Sequence, residues 1–213
     1  MRGLYPIVDV DSLRELGAPP RAVVAFAERV LLARPALLQL RAKHLGARDT
    51  LELLRALQPL CAESGARLIA NDRPDLAVLA QCDGVHIGQE DLPLPLVRTL
   101  APGLLVGVST HNLEQLTAAL AERPDYVAFG PVFATASKER PDPSVGLALL
   151  AEAHAAAQRA GIPLVAIGGI NLERATQIAE RAELGAVIAA LQPNRGSLEG
   201  VSEAALELQR ALS

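Results

Sequence analysis

Acidic and amide side chains follow two short apolar runs near the middle of the chain. Leu68-Ile69-Ala70 leads into Asn71-Asp72, and Val85-His86-Ile87 leads into a polar cluster that ends at Asp91. Apolar runs of this length are typical of buried strands. Carboxylates at neighbouring strand ends can converge on a hard cation, and Mg²⁺ is typically held by one or two carboxylates while it keeps positions for water and phosphate. The spacing therefore predicts a magnesium site formed by Asp72 and Asp91.

Basic and hydroxyl side chains at other predicted strand ends extend this site. Gln39, Arg41 and Lys43 alternate along an extended segment, so their side chains can point the same way. Arginine binds phosphate oxygens with a planar fork, whereas lysine acts as a point charge. Later strand ends and the long segment from Gly130 to Val145 add Ser109, Thr135, Ser137 and Lys138. The set contains no paired base and nucleophile, and it suits a metal and phosphate groups better than acyl transfer.

A glycine pair after the seventh predicted strand indicates a second anion site. Gly168-Gly169 follows the apolar run 163–167, and two residues without Cβ atoms let the backbone approach an anion closely. A tight turn without any ligand is an equally good interpretation of the pair by itself. Because the loops after strands seven and eight are the common phosphate site of a (β/α)₈ barrel, the pair predicts a phosphate site built from main-chain groups near these strands.

The elements that must position these residues alternate regularly between strand and helix. Apolar runs predict strands, and helical periodicity predicts a helix after each of them. The predicted strands are 4–8, 36–40, 67–70, 83–87, 105–108, 126–129, 163–167 and 186–189. Eight such pairs leave about 27 residues per unit, which fits a strand, a helix and two short loops. The prediction is an α/β fold, a single-domain (β/α)₈ TIM barrel over 1–213, with a doubly wound open sheet as the alternative.

Composition excludes several function classes. The formal net charge is −4, aromatic residues make up 2% of the chain, and tryptophan is absent. These values argue against a nucleic-acid footprint, a base-stacking platform and a basic membrane-binding face. The amino terminus lacks the pattern of a signal peptide, and no apolar segment is long enough to cross a bilayer. We therefore expect a cytoplasmic protein that acts on small molecules, and a homo-oligomer is compatible with this sequence.

The chain resembles the thiamine-phosphate synthase family, and the resemblance extends from the first strand to the eighth. The stretches that carry it are Gln39-Leu40-Arg41-Ala42-Lys43, Asn71-Asp72-Arg73, 84–91, 107–111, 130–138 and Ile167-Gly168-Gly169-Ile170. Each stretch is weak evidence alone, but their number and order make the match strong. The resemblance implies that hydroxymethylpyrimidine diphosphate loses pyrophosphate and that the ring nitrogen of a thiazole phosphate captures the resulting cation, which gives thiamine phosphate.

The resemblance also implies a role for each matching residue. Mg²⁺ would be held by Asp72 and Asp91. The pyrimidine diphosphate would be held by Gln39, Arg41, Lys43, Asn71, Ser109 and Lys138, of which Arg41, Lys43, Ser109 and Lys138 would act in catalysis. The thiazole phosphate would be held by Thr135, Ser137, Gly168, Gly169 and the backbone at Ile188 and Ala189. The family usually carries a serine at the position of Ala189, and here that hydroxyl is missing.

Simpler interpretations compete with these assignments. Asp72 and Asp91 could cap the helices that follow them. His86 is expected to be a hydrogen-bonded core histidine, and His154 is expected to lie on the surface. At the level of function, the alternatives are a thiazole tautomerase of the same superfamily and a non-catalytic thiamine-phosphate-binding barrel.

Overall fold

Eight parallel strands close into a barrel in the computed structural model, which describes residues 1–135, 143–194 and 196–213. The strands follow chain order around the barrel, and β8 pairs with β1 to close it. They are β1 (Gly3–Asp9), β2 (Leu37–Arg41), β3 (Arg67–Asn71), β4 (Gly84–Ile87), β5 (Leu105–Thr110), β6 (Tyr126–Phe129), β7 (Leu164–Ile167) and β8 (Leu184–Val187). The predicted (β/α)₈ barrel is confirmed.

A helix follows each strand and packs on the outside of the barrel. The helices are α1 (Arg21–Leu31), α2 (Ala47–Ser64), α3 (Pro74–Leu79), α4 (Leu94–Leu100), α5 (Leu113–Ala121), α6 (Gly146–Ala160), α7 (Leu172–Ala179) and α8 (Val201–Leu212). Two short 3₁₀ helices, Val10–Leu16 and Ala189–Leu191, lie in the connections after β1 and β8. Among the described helices, none combines the length and the apolar character that a bilayer crossing requires.

The strands are buried on both faces, which explains why they appear in the sequence as continuous apolar runs. In β1, Leu4 and Val8 pack in the layer between strands and helices, whereas Tyr5 and Ile7 point into the barrel. The interior cluster is small and includes Leu37, Ile69, Val165 and Leu184. Parallel strands covered by helices lack the polar alternation of a sheet with one solvated face.

Two segments, one connection and one strand, differ from the sequence prediction. The segment around Asp11 and Ser12, expected to be a turn, forms the 3₁₀ helix Val10–Leu16. The eighth strand, expected at 186–189, spans Leu184–Val187, because its pairing with β1 runs from Gly3–Leu184 to Pro6–Val187 and then stops. Ile188 and Ala189 therefore leave the sheet, and their apolar side chains gave no sign of where the strand ends.

Gly107 provides the space for Tyr126, one of the two tyrosines in the barrel interior. A Cβ atom built at Gly107 would overlap the ring of Tyr126, which is fully buried. We expect Gly107→Ala to lower the free energy of unfolding by about 3 kcal/mol, the upper end of the usual cost of overpacking a core. Urea denaturation measures this loss. Gly46→Ala is the matched control, because a Cβ at Gly46 meets no atom within 4 Å, and an equal loss in both variants would contradict the steric argument.

Candidate active site

A cavity opens at the carboxyl end of the barrel and brings together most of the predicted substrate residues. It encloses about 950 Å³, part of which is open to solvent. The predicted residues that line it are Gln39, Arg41, Asn71, Ser109, Thr135, Gly168, Gly169, Ile188 and Ala189. Active sites of this fold form at the carboxyl ends of the strands, and this cavity is therefore the candidate active site.

Arg41 is fixed at the cavity wall by an acidic partner that the sequence pattern did not indicate. Its Nη1 donates to Oδ1 of Asp9 over 2.6 Å, and only 19% and 11% of the two side chains are exposed. The two residues face each other across the β1–β2 pairing as the last residue of each strand. This pairing holds the guanidinium against β1, which leaves its remaining N–H groups for other partners.

Lys43 lies apart from Gln39 and Arg41. The predicted alternation stops at Arg41, where β2 ends, and Lys43 follows in a turn. Its ammonium group forms an ion pair with Asp72, and Lys43 lines a second pocket that shares Asn71 with the main cavity. The prediction that all three side chains point the same way is therefore wrong for Lys43, because the extended conformation on which it depends does not continue.

Asp72 and Asp91 bring their carboxylates together beside the cavity. The backbone of Asp72 turns out of β3 in a left-handed conformation, with φ of 63°, and its N–H donates to the carbonyl of His86 over 2.8 Å. Asp91 Oδ2 accepts from the N–H of Gly88 over 2.6 Å. Burial raises the pKa of the Asp91 carboxyl, and the neighbouring Asp72 raises this pKa further by hydrogen bonding and by charge, whereas Gly88 and Lys43 lower it.

The helix-capping interpretation of these two aspartates is not supported by the geometry. The residues at the N-cap positions of α3 and α4 are Arg73 and Pro93, and neither helix has a side-chain cap. Asp72 lies before the N-cap residue of α3 and has a left-handed backbone conformation, so it does not start this helix.

The carboxylate pair fits a cation that takes part of its coordination from elsewhere. The described residues contain no cluster of three or more His, Cys, Asp or Glu side chains that could hold a metal. Magnesium does not need such a cluster, because it is usually bound through one or two carboxylates together with substrate phosphates and water. Asp72 and Asp91 supply the carboxylates that this mode of binding requires.

A chain of buried hydrogen bonds forms the floor of the cavity. Gln39 Nε2 donates to the hydroxyl of Tyr5 over 2.9 Å, and this hydroxyl lies 2.9 Å from that of Tyr126. His86 lies 3.1 Å from the Tyr126 hydroxyl through Nδ1 and 2.8 Å from Ser109 Oγ through Nε2. The prediction of a hydrogen-bonded core histidine is confirmed for His86. However, Ser109 and His86 do form a hydrogen-bonded pair, which the sequence had not suggested.

The floor connects residues from five strands, and sequence spacing could not bring them together. Both tyrosines of the chain are in it. The Tyr126 ring stacks on His86, with 5.6 Å between centroids, and meets the Tyr5 ring edge-on at 6.0 Å. Tyr5 and His86 lie inside apolar runs and Tyr126 begins one, so their need for a buried hydrogen-bond partner is the only signal in the sequence.

The glycine pair forms a tight, closely packed turn on the opposite side of the cavity. Gly168 and Gly169 have φ values of +101° and +64°. A Cβ at Gly168 would overlap Pro131, and a Cβ at Gly169 would lie 2.6 Å from the carbonyl oxygen of Ala134. The turn therefore requires glycine at both positions, both for backbone conformation and for space.

Arg174 holds this turn from behind. Its Nη1 donates to the carbonyl of Gly169 over 2.6 Å, and its guanidinium lies 4.6 Å from the centre of the Phe133 ring. Phe133 in turn donates its backbone N–H to Gly168 over 3.1 Å. Because the Gly169 carbonyl is held by Arg174, the turn is rigid on the side where an anion would meet main-chain groups.

Two predicted site residues and three histidines remain to be placed. Ser137 and Lys138 lie outside the described residues. His44 pairs with Asp11 over 2.6 Å, and His111 Nδ1 bonds the carbonyl of Gly130 over 2.7 Å. His154, expected on the surface, is half-buried beside Glu183, with 3.0 Å between Nε2 and Oε1.

Comparisons with known proteins identify the family of this chain. The sequence model of the thiamine monophosphate synthase family matches residues 4–191. The chain belongs to this family. A thiamine-phosphate synthase of Anaeromyxobacter dehalogenans is 41% identical over 98% of this chain and 90% of its own, and one of Methanocella arvoryzae is 38% identical over 99% and 94%.

A solved structure of the family has the same fold. The thiamine phosphate pyrophosphorylase of Pyrococcus furiosus superposes with a TM-score of 0.83 at 30% identity, over 98% of this chain and 94% of its own. Because the similarity covers nearly the whole chain, the chain is an enzyme of the thiamine-phosphate synthase type, a transferase with small-molecule substrates. The family that the sequence motifs suggested is confirmed.

Proposed function

We propose that this enzyme joins hydroxymethylpyrimidine diphosphate to thiazole phosphate, with release of pyrophosphate, in a magnesium-assisted dissociative reaction. The observation that carries the proposal is a cavity that is lined by the Gly168-Gly169 turn and, across the barrel, by Asn71, next to which the Asp72 and Asp91 carboxylates come together. One side suits a diphosphate with its metal, and the other suits a monophosphate held by main-chain groups. We also propose that residues 1–213 act as one catalytic domain.

The carboxylate pair would hold Mg²⁺ where the diphosphate binds. When bound, Mg²⁺ neutralises charge that develops on the pyrophosphate leaving group. Asp72 and Asp91 would share the ion, and Lys43, which pairs with Asp72 here, lies within reach of the same phosphates. The two carboxylates repel each other, and Asp72 raises the pKa of Asp91 for this reason. A cation bound between them would remove this repulsion, which favours its binding.

The chain's own side chains would position the reacting groups. Arg41 would direct its guanidinium at the diphosphate while Asp9 holds it in place. Gln39 and Ser109 would contact the pyrimidine ring from the floor. The carbon–oxygen bond breaks with both electrons leaving on pyrophosphate, and the thiazole nitrogen then supplies the electron pair for the new carbon–nitrogen bond. Positioning and electrostatic stabilisation are sufficient for such a reaction.

A direct test is product formation by the purified chain. Mass spectrometry should detect thiamine phosphate and one equivalent of pyrophosphate from the two substrates with Mg²⁺. Isomerisation of a thiazole carboxylate phosphate without metal, together with no pyrophosphate release, would instead show a tautomerase. Tight binding of thiamine phosphate without turnover would show a non-catalytic barrel. Either of these two results would overturn the proposal.

The Asp9–Arg41 pair gives a specific prediction about diphosphate binding. We expect Asp9→Asn to raise the KM for the pyrimidine diphosphate about tenfold, since a charge-assisted hydrogen bond that orients the guanidinium becomes a neutral one. Steady-state kinetics with saturating thiazole phosphate measures the change. Asp11→Asn is the matched control, because Asp11 pairs with Arg14 and His44 away from the cavity wall. An unchanged KM in Asp9→Asn would show that Arg41 needs no orientation.

A further inference from the structure

The buried chain of hydrogen bonds on the cavity floor has a direction, because each hydroxyl has only one proton to donate. Gln39 Nε2 donates to the Tyr5 hydroxyl, so the oxygen of Tyr5 already accepts a hydrogen bond. The other partner that the described structure gives this hydroxyl is the hydroxyl of Tyr126. Tyr5 is buried, and an unpaired buried donor is costly. With the Gln39 amide in this orientation, the Tyr5 proton points to Tyr126.

The next hydroxyl in this series of hydrogen bonds is constrained in the same way. The Tyr126 oxygen accepts from Tyr5, so its own proton points to His86 Nδ1. Burial raises the pKa of both tyrosines well above the ordinary value, so both hydroxyls keep their protons. In a neutral imidazole one nitrogen accepts and the other donates. His86 therefore carries its proton on Nε2 and donates it to Ser109 Oγ.

We propose that Tyr5, Tyr126 and His86 are positioning residues that impose this single hydrogen-bonding direction on the cavity floor. At one end, Gln39 donates one amide proton to Tyr5 and keeps its second amide proton and its carbonyl oxygen for other partners. At the other end, Ser109 accepts from His86 and keeps its hydroxyl proton for a ligand in the cavity. The direction therefore sets Ser109 as a donor toward the cavity.

This direction has a first consequence for the Ser109–His86 pair. A histidine that donates Nε2–H to a serine cannot remove the proton of that serine, so the pair is not a nucleophile with its base. A direct role of Ser109 in covalent catalysis would require the reverse direction, with a proton on Nδ1. The hydrogen-bond direction thus decides between a positioning role and a nucleophilic role for the same two side chains.

A second consequence concerns the ligand, and it rests on the proposed function. A heterocycle that contacts the Ser109 hydroxyl must offer it an acceptor. The ring nitrogen beside the amino group of an aminopyrimidine is such an acceptor. In the corresponding oxopyrimidine this ring nitrogen carries a proton and would face the Ser109 hydroxyl with a like group.

The tautomer of His86 tests the proposal without any substrate. Two-dimensional ¹H–¹⁵N correlation of the histidine rings in the ligand-free, full-length protein identifies which ring nitrogen carries the proton, and comparison with His86→Gln assigns the signals. We expect Nε2–H, with Nδ1 as an acceptor. A proton on Nδ1 would reverse the direction of all the hydrogen bonds on the floor and overturn the proposal. In Tyr126→Phe the Nδ1 signal should shift, because its donor is lost, and an unchanged signal would also overturn it.

Kinetics separates positioning from a purely structural role. We expect Tyr126→Phe and Tyr5→Phe to raise the KM for the pyrimidine diphosphate about tenfold and to leave the KM for thiazole phosphate unchanged. Thr110→Val is the matched control, because it deletes a buried hydroxyl that bonds the Ala128 carbonyl outside the floor. Equal changes in both KM values, or none, would contradict positioning of the pyrimidine.

Binding of two probes distinguishes this proposal from the proposed function. Calorimetry should show that an aminopyrimidine alcohol binds at least about tenfold more tightly than the matching oxopyrimidine alcohol. Equal binding, or a preference for the oxopyrimidine, would refute the direction. If His86 has the expected tautomer but no thiamine phosphate forms, the proposed function fails while the direction of the floor stands.

Discussion

Asp91→Asn is expected to lower magnesium-supported turnover at least about 100-fold while the barrel remains folded, since metal stabilisation of a leaving group contributes several kcal/mol. Asparagine keeps an oxygen that can accept from the N–H of Gly88, which Asp91 now accepts over 2.6 Å. It removes the charge that would be shared with Asp72 around the cation. The substitution therefore separates the loss of a metal ligand from the loss of a loop contact.

The measurement is pyrophosphate release as a function of Mg²⁺ concentration, with circular dichroism as the check on folding. Asp75→Asn is the matched control on the same side of the barrel. Its carboxylate pairs with Arg73 over 2.6 and 2.8 Å and is about half exposed. We expect this control to have full activity. Full activity in Asp91→Asn, with the same dependence on Mg²⁺, would rule out the metal assignment.

Gly168→Ala is expected to lower kcat/KM for thiazole phosphate about 100-fold, the scale of loss when reacting groups are misplaced by about 1 Å. The added Cβ would overlap Pro131 and would lie 3.1 Å from the backbone nitrogen of Val132. Gly168 also has a φ of +101°, which a residue with a Cβ rarely adopts. The turn must move, and the main-chain groups that meet the phosphate move with it.

Gly161→Ala separates the steric effect from the backbone effect. Gly161 has a φ of +68° at the end of α6, and a Cβ there meets no atom within 4 Å. This control should lose roughly 1 to 2 kcal/mol of unfolding free energy, the usual cost of a left-handed conformation, with unchanged kinetics. Steady-state kinetics and urea denaturation of both variants provide the comparison. If Gly168→Ala kept its KM for thiazole phosphate, the glycine pair would be only a turn.

The barrel could be predicted from the sequence because its strands and helices leave separate patterns. Buried parallel strands appear as apolar runs, and the covering helices repeat at helical spacing. The strand ends also revealed part of the site, since Gln39, Arg41 and Asn71 do line one cavity. A residue at a strand's carboxyl end is placed by the fold itself.

The contacts between strands could not be predicted, because they depend on barrel closure and register. Asp9 faces Arg41 only because β1 and β2 pair with their last residues opposite each other. Tyr5 and Tyr126 meet across the barrel interior, 121 positions apart in the sequence. The position of Lys43 had another cause, since the extended conformation assumed for it ends with β2 at Arg41.

Pyrophosphate release from hydroxymethylpyrimidine diphosphate, measured with and without thiazole phosphate and with and without Mg²⁺, tests the central claim most directly. We expect rapid release only when thiazole phosphate and Mg²⁺ are both present, with thiamine phosphate formed in equal amount. Full release after Mg²⁺ has been removed by a chelator would contradict the role of Asp72 and Asp91. No release under any of the four conditions would contradict the proposed reaction itself.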